Sequence, residues 1–249
     1  MQYLFWLCAA VSPLVVCGCG VDGARVNDNE GFRPLFNGKD LSGWTVKAKP
    51  EDMEKGFWTV EDGVITADSM ERPEHDYVWL VTDREYADFV LRMQFRAFRQ
   101  AQGNSGVQFR SRYDDEAFWL DGPQVDIHPA EPWRTGMIWD ETRGIQRWLC
   151  PDVSKGQWVK PEMASTHLVF YYAEEGAGWN DLEITAAGTR CRVVLNGVEV
   201  TDYDGAGVLD DAIHRKREVG LKGCIALQIH RNDAVRVQFR DLAVREVKK

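Results

Sequence analysis

Gly122-Pro123-Gln124-Val125-Asp126-Ile127-His128 is the stretch whose reading decides the fold. In an extended chain successive side chains point to opposite faces, so Val125 and Ile127 enter a core while Gln124, Asp126 and His128 share the other face. Upstream, Asn104-Ser105-Gly106-Val107-Gln108-Phe109-Arg110 repeats the pattern, with Val107 and Phe109 inward and Asn104, Gln108 and Arg110 outward. Downstream, Gly136-Met137-Ile138-Trp139-Asp140-Glu141-Thr142-Arg143 ends in a charged corner. A merely solvated sheet face collects Lys, Glu, Thr and Ser, whereas these positions hold Asn, Gln, Asp, His and Arg, which suit directional bonds to a ligand.

Working outward, the same parity recurs. Phe89, Leu91, Met93 and Phe95 alternate with Arg92, Gln94 and Arg96, which makes 88–98 a strand with Leu91 and Phe95 in the core. Further strands are expected over 57–60, 63–67, 77–82, 166–172, 180–186, 223–230 and 234–247. Asn196-Gly197 supplies the two positive-φ residues of a type I′ hairpin between Val193 and Val200. In the last strand the apolar parity switches between Phe239 and Leu242, which predicts a bulge near Arg240-Asp241. One short helix is expected over 208–216. Many strands separated by turns, no internal repeat and almost no helix describe one all-β sandwich.

The chain has 249 residues and a formal net charge of −9, with no basic run, which argues against binding a nucleic-acid backbone. Residues 1–18 contain no Asp, Glu, Lys or Arg, and Leu4 to Val16 is an apolar run broken by Ser12 and Pro13. It is too short for an ordinary spanning helix and reads as a cleaved signal segment. Val16-Cys17-Gly18-Cys19 resembles the lipobox of bacterial lipoproteins, so Cys19 is the expected lipid anchor, 19–30 a tether, and 31–249 the folded domain. The membrane is then met only through that anchor, at the periplasmic or cell-surface side. Cys150, Cys191 and Cys224 are left in the body, an odd number expected to be buried thiols with room for one disulfide.

No G-x-G-x-x-G, P-loop or H-E-x-x-H motif is present, and Gly103-Asn104-Ser105-Gly106 is one residue short of a nucleophile elbow. What remains is a polar sheet face with carboxylates (Asp126, Asp140, Glu141), imidazoles (His128, His230) and guanidiniums (Arg110, Arg143). Five tryptophans, at 119, 133, 139, 148 and 158, fall within forty residues. Flat rings on the C–H faces of a sugar, beside planar groups that bond its hydroxyls, are how proteins commonly hold carbohydrate, although most tryptophans in a sandwich are core.

The ordered set of stretches resembles a bacterial family, the 3-keto-disaccharide hydrolase domain. It runs from Gly31-Phe32 with Leu35-Phe36-Asn37-Gly38-Lys39-Asp40-Leu41-Ser42-Gly43-Trp44, through Gly103-Asn104-Ser105-Gly106-Val107, Gln124-Val125-Asp126-Ile127 and Trp139-Asp140-Glu141, to Gly223-Cys224-Ile225-Ala226-Leu227-Gln228-Ile229-His230. The resemblance implies a concanavalin A-like jelly roll whose concave face binds sugar, and action on 3-keto-glycosides made by a separate sugar 3-dehydrogenase. A C3 ketone acidifies the C2 hydrogen, so a base can remove it and the glycosidic oxygen can leave from C1. Such an enzyme needs a base, an acid and an oxyanion stabiliser. Asp126, Glu141, His230 and Arg143 are the candidate catalytic groups, and Asn104, Arg110, Gln124, His128, Trp139 and Gln228 the candidate substrate contacts. A divalent cation on some of these oxygens would do the same polarising work. A sugar-binding module without catalysis, or a conventional glycosidase with paired carboxylates, fits the same pattern.

Overall fold

The computed structural model describes residues 30–247. The leader, Cys19 and most of the tether lie outside them. In chain order the strands are β1 (Arg33–Pro34), β2 (Trp44–Lys47), β3 (Trp58–Glu61), β4 (Val64–Asp68), β5 (Val78–Thr82), β6 (Phe89–Ala97), β7 (Ser105–Asp114) and β8 (Trp119–Asp121). They continue with β9 (Pro123–Ile127), β10 (Ile138–Asp140), β11 (Arg147–Cys150), β12 (Trp179–Ala187), β13 (Arg190–Leu195), β14 (Val198–Asp204), β15 (Cys224–Ile229) and β16 (Arg236–Glu246).

Two eight-stranded antiparallel sheets form a jelly-roll sandwich. One has the order β14-β13-β12-β6-β16-β4-β3, with β1 on β16. The other has β11-β10-β9-β7-β15-β5-β2, with β8 on β7. The sandwich core is the contact of the two inner faces, where Leu91 and Phe95 of one sheet meet Val107, Phe109, Val125 and Ile127 of the other. All six are wholly buried, as their parity predicts. The outer face of the second sheet therefore carries Gln124 and Asp126.

Asn196 and Gly197 both have positive φ, at 49° and 79°, and close the β13–β14 hairpin. The register of β16 against β6 shifts between Arg240 and Ala243, with Asp241 at φ 54°, where the parity switch places a bulge. Two expectations give way. The segment 166–172 forms no strand; only Tyr172 makes an isolated bridge, to Ala97. The Asn180 side chain does a partner strand's work instead, accepting from Tyr171 N and donating to Tyr171 O, each at 2.8 Å. The helix is shorter, α1 being the Pro50–Met53 turn and α2 spanning Ala212–Arg217. Asp211 caps α2 by accepting from Ile213 N and His214 N at 2.8 Å, so helix cannot extend back to Val208. Cys150, Cys191 and Cys224 are free thiols.

Candidate active site

Strand register lays the outer face of the second sheet out in rows. Asp126 on β9 lies opposite Gly106 on β7, which lies opposite Gln228 on β15, which lies opposite Trp79 on β5. The next row runs Trp148, Trp139, Gln124, Gln108 and Ala226. Two aromatic clusters cover the flanks of this face. Tyr77, Trp79 and Leu120 pack with Trp119 and Tyr113 on one side. Met137, Trp148, Val153 and Val159 pack with Trp133 and Trp139 on the other. The gap between them is a cleft of about 400 Å³.

Tyr77, Asn104, Trp119, Gln124, Asp126, Arg134, Trp139, Glu141, Gln146, Trp148, Trp158, His230 and Arg231 line it. Asp126, Glu141 and His230 come from distant parts of the chain, brought together because β9, β10 and β15 belong to one sheet. The floor is made of amides that are not satisfied internally. Oδ1 of Asn104, Oε1 of Gln108, Oε1 of Gln124 and both side-chain polar atoms of Gln228 have no hydrogen-bond partner among the described residues. Of these, Asn104 and Gln124 line the cleft, whereas Gln108 and Gln228 are wholly buried and do not. Buried polar atoms normally find partners, so the unpartnered oxygens of Asn104 and Gln124 suit a polar ligand.

Three titratable arrangements stand in this cleft. Asp126 is buried and its Oδ2 accepts from Arg134 Nε at 3.1 Å. Burial nonetheless holds its carboxyl above the usual carboxylate range, against the pull of Arg134 and His128. Glu141 has no Lys or Arg ion pair among the described residues. Burial pushes its carboxyl up to about 7, with Trp139 and His230 working in the opposite direction. His230 sits between two partners, with Tyr77 Oη 3.0 Å from Nε2 and Asp233 Oδ2 3.0 Å from Nδ1. Burial works against the Asp233 carboxylate, but His230 and the Asn104 N–H hold it below its ordinary value. Tyr77 is pushed well above a free phenol by burial and by the charge of Glu141, so it keeps its proton.

The opposite wall is aromatic. Trp158 packs its ring 5.9 Å from Trp139 and 5.5 Å from Trp148, and the Arg134 guanidinium stands 5.0 Å over it. Trp158 is still 55% exposed, which leaves ring surface free at the cleft mouth. Among the described residues no group of three or more His, Cys, Asp or Glu is arranged to hold a metal ion.

Residues 31–245 match the model of the 3-keto-alpha-glucoside-1,2-lyase-like domain. The chain belongs to this family. No protein of curated function matches it. Among solved structures, a Parabacteroides distasonis protein provisionally described as a glycosyl hydrolase shares 18% identity at a TM-score of 0.56, covering 88% of this chain and 95% of its own. A Bacillus subtilis protein of unknown function with a galectin-like fold shares 12% at 0.55, covering 88% and 96%. The Emp46p carbohydrate recognition domain, in a potassium-bound form, shares 12% at 0.51, covering 85% and 92%. These likenesses establish the sandwich; the family establishes a carbohydrate-related role.

In this lyase-like domain four candidate residues stand elsewhere than the sequence suggests. Arg110 leaves the open face because β7 bulges there: Phe109 and Arg110 together oppose Ile225 as the register shifts, and Arg110 takes φ 51°. Its wholly buried guanidinium donates to Ala87 O, Gly188 O, Gly220 O and Asp88 Oδ1, tying loops at the sheet end. Arg143 turns away from the cleft to Asp121 and Asp114, at 2.5 and 2.7 Å. His128 does not line the cleft; its Nδ1 accepts from Glu131 N at 3.0 Å and shapes the turn that delivers Arg134. Gln228 is wholly buried in the floor rather than standing free. Asn104, Gln124, Asp126, Trp139, Glu141 and His230 do line the cleft. Sequence reasoning missed Tyr77, Arg134 and Asp233; Asp233 alone left a trace, three residues after His230.

Proposed function

We propose that this protein cleaves 3-keto-glucosides by elimination, with Glu141 as the base that removes the C2 proton. The observation that carries the reading is the Glu141 carboxyl itself, buried in the cleft, unpaired by Lys or Arg among the described residues, and lifted to about 7. A carboxylate of that basicity is half-charged near neutral pH and strong enough to take a proton beside a ketone. Arg134 supplies positive charge for the enolate oxygen that forms at C3. As the C1–C2 double bond forms, the glycosidic C1–O bond breaks and its electron pair goes to the leaving oxygen.

That oxygen needs a proton, and Tyr77 is placed to give one. His230 Nε2 stands 3.0 Å from Tyr77 Oη, and Asp233 Oδ2 stands 3.0 Å from His230 Nδ1, so the two side chains hold the phenol in position. The products are the free alcohol and an unsaturated 3-keto glycal, to which water adds in a later step. Asn104 and Gln124, which line the cleft, bond ring hydroxyls, and Trp139 and Trp158 pack on C–H faces.

Incubation with 3-keto-trehalose or methyl 3-keto-glucoside should release the glycal, and deuterium at C2 should slow release. Glu141→Gln should reduce turnover by about 10²-fold or more. Wild-type turnover in that variant would remove Glu141 from the chemistry. Saturable binding of unoxidised glucosides with no release of alcohol would instead favour a sugar-binding module, a role the amide floor and Trp158 also suit. The same proposal includes export and anchoring at Cys19, with a sugar 3-dehydrogenase supplying the ketone. Clickable palmitate should label the wild type and spare Cys19→Ala.

A further inference from the structure

Directly behind the end of β10, which Glu141 follows, lies a buried array that the chemistry above does not use. Parity turns Asp140 inward as Trp139 and Glu141 turn outward, and Asp140 and His214 are both wholly buried. His214 Nε2 is 3.0 Å from Asp140 Oδ2, and His214 Nδ1 is 3.0 Å from Asp211 Oδ1. Asp140 Oδ1 also accepts from Thr142 N at 2.9 Å, closing a loop of bonds around residue 141. Asp211 is itself fixed by capping α2. A chain of contacts thus runs from the cap of α2 through one imidazole into the corner Asp140-Glu141-Thr142.

We infer that His214 is a positioning residue for Glu141: clamped between Asp211 and Asp140, it fixes the strand end that presents the base and neutralises the carboxylate next to it. The inference rests on Glu141 being the functional carboxyl. An uncompensated Asp140 would repel charge on Glu141 through a dry interior and make the base harder to ionise. A buried imidazole held by two carboxylates is the economical remedy, because it adds one positive charge without adding a cation to the cleft. Burial alone would lower the His214 value, and the two carboxylates outweigh it and raise it. Asp140 is also faced by the Tyr203 hydroxyl. On the cleft side Glu141 is faced by His230 and Tyr77.

The test is to titrate the Glu141 carboxyl directly by NMR in the full chain carrying carboxyl-13C glutamate, with Glu141→Gln assigning the signal. His214→Gln keeps a hydrogen-bond donor toward Asp140 but loses the charge, and should move the Glu141 midpoint upward by about half a unit or more. Asp140→Asn removes the repelling charge, and should move it downward. Opposite shifts support the inference. No shift in either variant, or shifts of the same sign, overturn it and leave the array as a tie between α2 and β10. If His214→Gln does not fold, the sign in Asp140→Asn decides. The readout is the carboxyl and not turnover, so a protein inactive on 3-keto-glucosides would still answer, and the two readings fail separately.

Discussion

Gly106 and Gln124 touch across the β7–β9 pair so closely that a Cβ at residue 106 would stand 2.5 Å from Gln124 Cδ. The glutamine lies flat over the glycine, and this sets the depth of the cleft floor. Gly106→Ala should push Gln124 up into the ligand space, raising KM for a sugar substrate about tenfold, with an overpacking cost of roughly 1–3 kcal/mol. Steady-state kinetics beside a urea melt checks both, and an unchanged KM would show that ligand never reaches this floor.

Glu141 should set both a rate limb and a stability limb, of opposite sense. As a base it works deprotonated, so turnover rises with pH through about 7. For stability, the folded value lies above the ordinary 4.5. Below that ordinary value both states hold the proton and nothing is lost. Between it and about 7 the folded state binds more protons than the unfolded state, so stability falls as pH rises. Glu141→Gln removes the penalty. Chemical melts at pH 4 and pH 8 should show the variant gaining on the order of 3 kcal/mol relative to wild type at the higher pH, and no advantage at the lower.

Tyr77→Phe deletes the proposed proton donor and keeps the ring that packs on Trp79, 5.3 Å away. The loss should be about 10²-fold for an alkyl leaving group and much smaller for a nitrophenolate, which leaves without a proton. Equal losses for both leaving groups would assign Tyr77 to binding alone.

Arg110 and Arg143 should behave as structure. Arg110→Met strands three carbonyls and Asp88, and should cost about 3 kcal/mol in a denaturant melt. Arg143, partly exposed beside Asp114 and Asp121, should cost less when replaced by Ala. Turnover per folded molecule should hold in both variants.

What could be read from sequence was whatever period-two parity controls. The inward Val125 and Ile127, the outward Gln124 and Asp126, and the bulge at Arg240-Asp241 all follow from alternation within one strand. Arg110 failed for the same reason that the other bulge succeeded. At residues 240–241 the apolar pattern changes parity and announces the extra residue; at 109–110 the strand bulges with no glycine or parity change to mark it. Tyr77 enters the site through a pairing with His230 that is distant in sequence and that no local pattern encodes, whereas Asp233 and Arg134 lie three and eight residues from the site groups they hold, in turns whose alternation carries no signal. The 166–172 segment misled because its backbone is held by side-chain amides, Asn180 at Tyr171 and Asn196 at Val169, where a strand was expected.

The long connection from β11 to β12 passes from the edge of one sheet to the other sheet, and it brings Trp158 to the cleft mouth on the way. The acid–base groups all come from the sheet carrying β9, β10 and β15 or from turns beside it. Under the proposed elimination, reactivity and selectivity fall to separable stretches of chain. Lengthening, shortening or exchanging residues 151–178 should retune which leaving groups are admitted while the proton-handling groups stay in register, which gives this scaffold a modular route to new substrates.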